Sequence, residues 1–278
     1  MCRITSTILG YRLSATNGEL GHVKDFYFDD NTWTIRYLVV DTGGWLSGRK
    51  VLISPQSLGE PDWDAHSVPV FLTKEQVERS PSIESDAPVS RQHEEKLAAY
   101  YDWPTYWDQV ILPGGGMMPP AIIPREHPED HPKPTPKPRG DPNLRSVNEV
   151  VGYHIDSQID ADESRIGYVE DFIAETDNWA IRYMMVATGH WFPGLSGKRT
   201  LIAPAWIAGV SWKDHQVWVN LTPDEVKNSP EYDPATPINR ELETKLYDYY
   251  RRPKYWQRRV DTPTTRQSAD TRGPTTAG

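Results

Sequence analysis

The apolar and polar positions of this chain alternate in short, strand-length runs. Val23, Phe26 and Phe28 start an apolar pattern that the corner Asp29-Asp30-Asn31 interrupts, and Ile35 to Val40 follows as a β-branched run. Together they predict a hairpin with Asp and Asn at its turn, because those side chains bond their own backbone and tolerate left-handed conformations. Leu9 to Leu13, Val51 to Ile53 and Val68 to Leu72 read as three more strands, separated by turn residues such as Asn17-Gly18. Strands this short and this closely spaced favour a small barrel or sandwich. Thr73-Lys-Glu-Gln76 and Thr222-Pro-Asp-Glu225 fit the capping box, and Pro223 sits where a helix has no need of its N–H. A second helix is predicted at about 90–101 and again at about 239–250. In the latter, Leu242, Leu246, Tyr249 and Tyr250 form one apolar stripe.

The pattern occurs twice. Gly21 to Trp45 returns as Gly167 to Trp191 at a spacing of 146, and after a three-residue insertion Val51 to Pro55 returns as Thr200 to Pro204 at 149. Leu97, Tyr100, Tyr101, Pro104, Tyr106 and Trp107 return as Leu246, Tyr249, Tyr250, Pro253, Tyr255 and Trp256. So long a period is a duplication and not a solenoid. The domains expected are 1–112 and 143–260, joined by a linker at 113–142 in which ten of 30 residues are Pro, with a polar tail at 261–278 expected to be disordered. Pro132-x-Pro134-x-Pro136-x-Pro138 reads as a semi-rigid spacer, with a ligand for proline-reading modules as the alternative.

Composition narrows the function classes. The net charge of −9 argues against a general nucleic-acid binder, which needs a basic footprint. The first domain carries −6 and the second −3; the basic groups Arg251, Arg252, Lys254, Arg258 and Arg259 cluster at the second domain's end. One cysteine, Cys2, excludes an internal disulfide and any Cys-based zinc knuckle. No apolar run is long enough for a transmembrane helix and no signal core precedes Cys2, so a cytoplasmic protein is expected. The eight His give no convincing metal site: His127 and His131 have i,i+4 spacing but sit among prolines that prevent a helix, and the other six read as scattered positions that do not recur between the copies. Asp156 to Glu163 lacks the turn Gly and final Glu of a calcium loop and reads as an acidic hairpin loop. No nucleophile elbow, phosphate loop or dinucleotide fingerprint occurs, so no catalytic residue, metal or cofactor is assigned and the protein is read as a non-enzyme.

Two sets of recurring residues remain. Asp25 with Arg36, and Asp171 with Arg182, are expected to face one another across the hairpins as ion pairs. The alternative makes Arg36 and Arg182 a docking surface for carboxylate or phosphate groups. Trp33, Trp45, Trp179 and Trp191 lie at or near predicted turns, where Trp caps a barrel or anchors an interface. Trp45 and Trp191, each after a Gly-rich or polar corner, are the candidate partner-binding aromatics. Trp33 and Trp179 are structural repeat pairs, as are Asp25 and Asp171.

The series Gly21-x-Val-x-Asp25-Phe, the acidic turn, Trp33-x-Ile-Arg-Tyr-Leu-Val-Val40 and Val51-Leu-Ile-Ser-Pro55 resembles the PRC-barrel family, named for the cytoplasmic domain of the photosynthetic reaction-centre H subunit. The second copy carries it through Gly167, Asp171, Ile181 to Val186 and Leu201 to Pro204. The resemblance implies a mainly β protein of two small, highly bent barrels, each followed by short α-helices, of the soluble bacterial tandem type. It further implies a protein–protein docking or scaffold role with unidentified protein partners, the barrels packing on each other or self-associating. Reaction-centre and ribosome-maturation roles are the family's other associations; a separate alternative, not implied by the family, is an unrecognised enzyme with a site between the barrels. The chain lacks the membrane helix of the H subunit and the RNA-facing domain of the ribosome factor.

Overall fold

The computed structural model describes residues 2–81, 89–107, 144–160, 164–188 and 198–257. The expectations for the linker at 113–142, for His127 and His131, and for the tail at 261–278 lie outside them. The first half runs β1 (Cys2–Ile4), β2 (Arg12–Ala15), β3 (Gly18–Asp29), β4 (Thr34–Asp41), β5 (Lys50–Ile53), β6 (Ser67–Pro69), α1 (Lys74–Glu78) and α2 (Arg91–Tyr101). The second runs β7 (Leu144–Ser146), α3 (Val147–Val150), β8 (His154–Ser157), β9 (Arg165–Glu175), β10 (Ala180–Ala187), β11 (Arg199–Ile202), β12 (Ile207–Ser211), β13 (Gln216–Val219), α4 (Pro223–Lys227) and α5 (Arg240–Tyr249). The molecule is mainly β, and its strands form one large sheet whose path is β12-β13-β8-β9-β10-β4-β3-β2-β6.

Both hairpins form at the acidic turns. β3 pairs antiparallel with β4, Asp29 opposite Thr34, and β9 with β10, Glu175 opposite Ala180. Each ladder carries two bulges at equivalent places: Lys24 and Arg36 have no opposite residue in the first, Glu170 and Arg182 none in the second. Bulges bend a strand sharply and re-aim the extra side chain. The bend brings Gly21 against β4 so closely that a Cβ would sit 2.0 Å from the Asp41 carbonyl oxygen; at Gly167 the distance to the Ala187 oxygen would be 2.2 Å. Only glycine fits either position.

Two predicted strands are shorter than their apolar pattern. Ile8 to Gly10 form a tight turn closed by Tyr11 N–H on Ile8 and Gly10 N–H on Val23, so β2 starts at Arg12 and not at Leu9. β6 stops at Pro69, which has no N–H for a ladder. The helices follow their caps: Thr73 and Thr222 each accept from the third helical amide while Gln76 and Glu225 reach back. Ser90 and Asn239 cap α2 and α5.

The halves are interlocked. β1 pairs with β9 of the other half, and β7 pairs with β3, so each half's first strand belongs to its partner's sheet. Between them Thr34 faces Ala180, flanked by Ile35 N–H donating to Trp179 (2.8 Å) and Ile181 N–H to Trp33 (2.7 Å). A single buried apolar cluster runs through both halves, with Phe26, Phe28 and Phe172 fully buried at its middle; a smaller one, including Tyr37, Val39 and Leu97, lies under α2. Among the described residues no helix is long and apolar enough to cross a membrane.

Candidate functional site

The expected ion pairs do not form. The register places Val39 opposite Asp25 and Met185 opposite Asp171, while the bulges turn Arg36 and Arg182 elsewhere. Asp25 instead receives Ser146 Oγ (2.5 Å) and Asn148 N–H (3.1 Å), both from the other half. Asp171 receives Thr5 Oγ1 (2.5 Å), again across the junction. Each aspartate thus pins the exchanged segment of the opposite half. Burial pushes the Asp25 carboxyl above its ordinary value, and the Ser146 and Asn148 donors oppose that only in part.

Arg36 lies 3.8 Å from Asp29, donates to Thr32 Oγ1 at 3.1 Å, and stacks 3.9 Å above the Tyr106 ring. Arg182 donates to Glu175 Oε2 at 2.8 Å and stacks 4.6 Å from Tyr255. Both arginines are therefore engaged within their own half. Burial lowers the Arg36 guanidinium from its ordinary value, with Asp29 opposing.

Behind each arginine lies a buried carboxylate that the sequence reading did not single out. Glu94 of α2 accepts from Tyr37 (3.0 Å) and Tyr106 (2.9 Å), with Arg91 at 3.2 Å. Glu243 of α5 accepts from Tyr183 and Tyr255, both at 2.8 Å, with Arg240 at 2.7 Å. Glu94 is wholly inaccessible and Glu243 nearly so. Burial and the adjacent carboxylates push the Tyr37 and Tyr183 hydroxyls far up and Tyr255 to about 12, so they serve as donors. The cluster joins a strand, a helix and the C-terminal aromatic segment in each half. Its signal was available: glutamate, arginine and both tyrosines all recur between the copies.

The tryptophans divide. Trp33 and Trp179 hold left-handed backbone at the hairpin tips, with φ of 51° and 57°. Trp33 stacks on Phe28 at 5.2 Å and leans on Phe172 of the other half; Trp179 meets Phe26 across the junction at 6.3 Å. They anchor an interface, and it is the internal one. Trp45 is half-buried, its indole N–H donating to the Leu20 carbonyl (2.7 Å) and its ring covered by Lys74 at 4.3 Å. Trp191 lies outside the described residues. The histidines are not all scattered: His66 and His215 recur, each with left-handed backbone and each stacked on a recurring tyrosine, Tyr11 at 4.9 Å and Tyr153 at 4.8 Å. The four-residue shift in the repeat before Gly21 had hidden the Tyr11–Tyr153 match. Of the basic cluster, Arg252 donates to the Asn220 carbonyl (2.6 Å) and Lys254 meets Asp248 (2.7 Å), contacts inside the second half. Asp156 is a buried ladder residue bound by Arg165 (2.8 Å), not part of a loop.

The halves enclose an open groove of about 430 Å³ at one side of their junction. Asp30, Asn31 and Trp33 of the β3–β4 turn form one wall and Ile207 to Val210 of β12 the other, with Arg145 and Trp212 between. Arg145 bridges Asp30 (3.0 Å) and lies 4.2 Å over the Trp212 ring. Arg3 over Trp63 at 4.3 Å is the equivalent stack on the other side.

Bent hairpins with matched bulges and a glycine at each closest approach characterise this mainly β fold. Residues 6–76 match the family model of the PRC-barrel domain, so the first half of the chain contains a PRC-barrel domain, from the turn after β1 into α1. No curated protein matches the chain.

Proposed function

We propose that the protein is a non-enzymatic docking scaffold built from two PRC-type modules, the second formed by residues of 143–260. The observation that carries the reading is reciprocity. β1 and β7 cross in opposite directions, Asp25 and Asp171 each hold the crossing segment, and Thr34 and Ala180 meet at the centre. Equivalent elements in the second half support a second barrel of the same type: matched bulges at Arg36 and Arg182, and matched acid clusters around Glu94 and Glu243. Two modules locked this way present two related faces at fixed spacing, which raises the effective concentration of two partner segments for one another. The chemistry that would recognise a partner lies on the outer faces, because Arg36, Arg182, Trp33 and Trp179 are spent on internal contacts. The reading expects cytoplasmic protein partners.

The test is affinity capture of the tagged full chain from its source cells with quantitative mass spectrometry, followed by reconstitution from purified components. A partner that binds the purified chain at one or two copies per chain supports the reading. Failure of every captured protein to reconstitute overturns it. The reaction-centre, ribosome-factor and enzyme alternatives have no observation of their own in favour.

A further inference from the structure

Each side of the junction serves as a control for the other. On one side Arg145 of β7 lies opposite Phe28; on the other Arg3 of β1 lies opposite Ala174, the same place on the equivalent strand. Arg145 stacks 4.2 Å over the Trp212 ring and Arg3 4.3 Å over that of Trp63. Tyr153 is 6.2 Å from Trp212, and Tyr11 is 6.1 Å from Trp63. The hairpin tips match as well: Trp33 N–H donates to the Asp29 carbonyl and Trp179 N–H to that of Glu175, both at 2.7 Å. One member differs. Asp30 offers Arg145 Nε a carboxylate oxygen at 3.0 Å, and the position of Asp30 is Thr176 in the second half.

Arg3 therefore keeps the setting of an ion pair without the acid. Threonine ends one bond short of where the oxygens of an aspartate lie, and its hydroxyl carries no charge. Among the described residues no hydrogen bond or ion pair reaches the Arg3 side chain, and its Nε is covered and unbonded. A covered donor without an acceptor is unfavourable, the more so on a charged group. Arg3 as a whole is only half-buried, so the terminal nitrogens of its guanidinium stay within reach of solvent.

We propose that Arg3, seated on Trp63, binds a carboxylate supplied from outside the chain, which takes the part that Asp30 plays at Arg145. A guanidinium presents a planar fork of donors that matches the two oxygens of a carboxylate. Trp63 holds the plane of that fork, so less side-chain freedom is lost on binding. The net charge of −9 repels anions in general, so a site that holds one here does so by local contacts and not by the overall field. A small free carboxylic acid and an aspartate or glutamate side chain of a partner share this chemistry. Only the second rests on the docking reading; the site itself stands without it.

The experiment is an NMR titration of the isotope-labelled full chain that reads the arginine Nε–Hε signals, with Arg3→Lys identifying the Arg3 signal by its loss. Sodium acetate is added at constant ionic strength against sodium chloride. The Arg3 signal is expected to move saturably while the Arg145 signal stays in place. Thr176→Asp installs the acid that the other half already carries. In it the Arg3 signal is expected near its acetate-bound position from the outset, with acetate affinity reduced about tenfold or more. The urea midpoint of this variant, expected to be no lower than that of the unaltered chain, checks that it folds. A movement that chloride alone reproduces, or an equal response in Thr176→Asp, overturns the proposal. The peptide acetyl-Gly-Glu-Gly-amide, titrated in parallel, separates the sources. Tighter binding than acetate assigns the site to a side chain of a partner, and equal or weaker binding to a small acid. No saturable response to either probe overturns the proposal and leaves the docking reading as it stands.

Discussion

Thr34 and Ala180 stand opposite one another at the centre of the molecule, between the Ile35–Trp179 and Ile181–Trp33 hydrogen bonds. They share no bond themselves, and this is the closer kind of antiparallel pair, with Cα atoms about 4.5 Å apart. That separation lies within the disulfide range. In a Cys2→Ser background, Thr34→Cys with Ala180→Cys is expected to oxidise to an intrachain disulfide with no change of oligomeric state. Mass spectrometry of the non-reduced digest checks the link, and a failure to oxidise would place the hairpin tips apart.

The Glu94 and Glu243 clusters are expected to act as clamps. Tyr183→Phe removes one of two hydroxyl donors from a buried carboxylate and should destabilise by about 1–3 kcal/mol, the cost of an under-satisfied buried acceptor. Tyr37→Phe should behave alike in the first half. Urea denaturation reads both. A loss well below 1 kcal/mol in each would mean that water or a rearranged arginine serves the carboxylate instead.

Asp25 gives a pH dependence of definite sign. Its folded-state value is raised above the ordinary 3.8 by burial. The folded form therefore holds the proton more tightly than the unfolded form, and Asp25 contributes stability fully present below about 3.8 and lost as pH rises through the raised value. Asp25→Asn keeps the hydrogen-bonding shape and cannot ionise. Its urea midpoint is expected to decline less from pH 4 towards neutrality than that of the unaltered chain. Parallel pH profiles would rule this out.

A swap between the halves makes a fourth test. In the first half the Trp103 indole folds over Ser57, donating to its Oγ at 2.8 Å and stacking on Tyr101 at 4.3 Å. In the second, the position of Ser57 is Trp206, packed on Tyr250 at 4.8 Å, and the position of Trp103 is Arg252. One tryptophan fills each niche, supplied from opposite elements. Trp103→Arg and Ser57→Trp are each expected to destabilise by about 1–3 kcal/mol, one by lost packing and the other by overpacking. The double variant should recover at least 1 kcal/mol of the sum, measured as a double-mutant cycle. Strict additivity would show that the niches are not equivalent.

Much of this fold was legible because the signals were local. The acidic turns gave the hairpins, and Thr73 and Thr222 with their reciprocal partners gave the helix starts. The interlock was not legible. β1 and β7 are three residues each, too short for a period, and nothing in Cys-Arg-Ile or Leu-Arg-Ser states which edge they join. The Asp–Arg pairing failed for a related reason: the hairpin closes at Asp29–Thr34 and not about Asp30-Asn31, which moves the register by two residues, and the bulge at Arg36 moves it by one more. Glu94 and Glu243 looked like solvated helix acids because their tyrosine partners come from a strand and from a segment beyond the helix, a convergence only the fold reveals.

The crossing of β1 and β7 also orders events in time. During synthesis the β3 edge at Tyr27–Asp29 has no cover until residues 144–146 emerge, and β1 has no strand to join until Ile173–Glu175 follow. At about 5–20 residues per second, the chain's first strand waits roughly 10–30 s for its neighbour. Throughout that interval the nascent first half carries an open edge, and the burden of keeping it from mispairing falls on the ribosome's surroundings and not on the finished molecule.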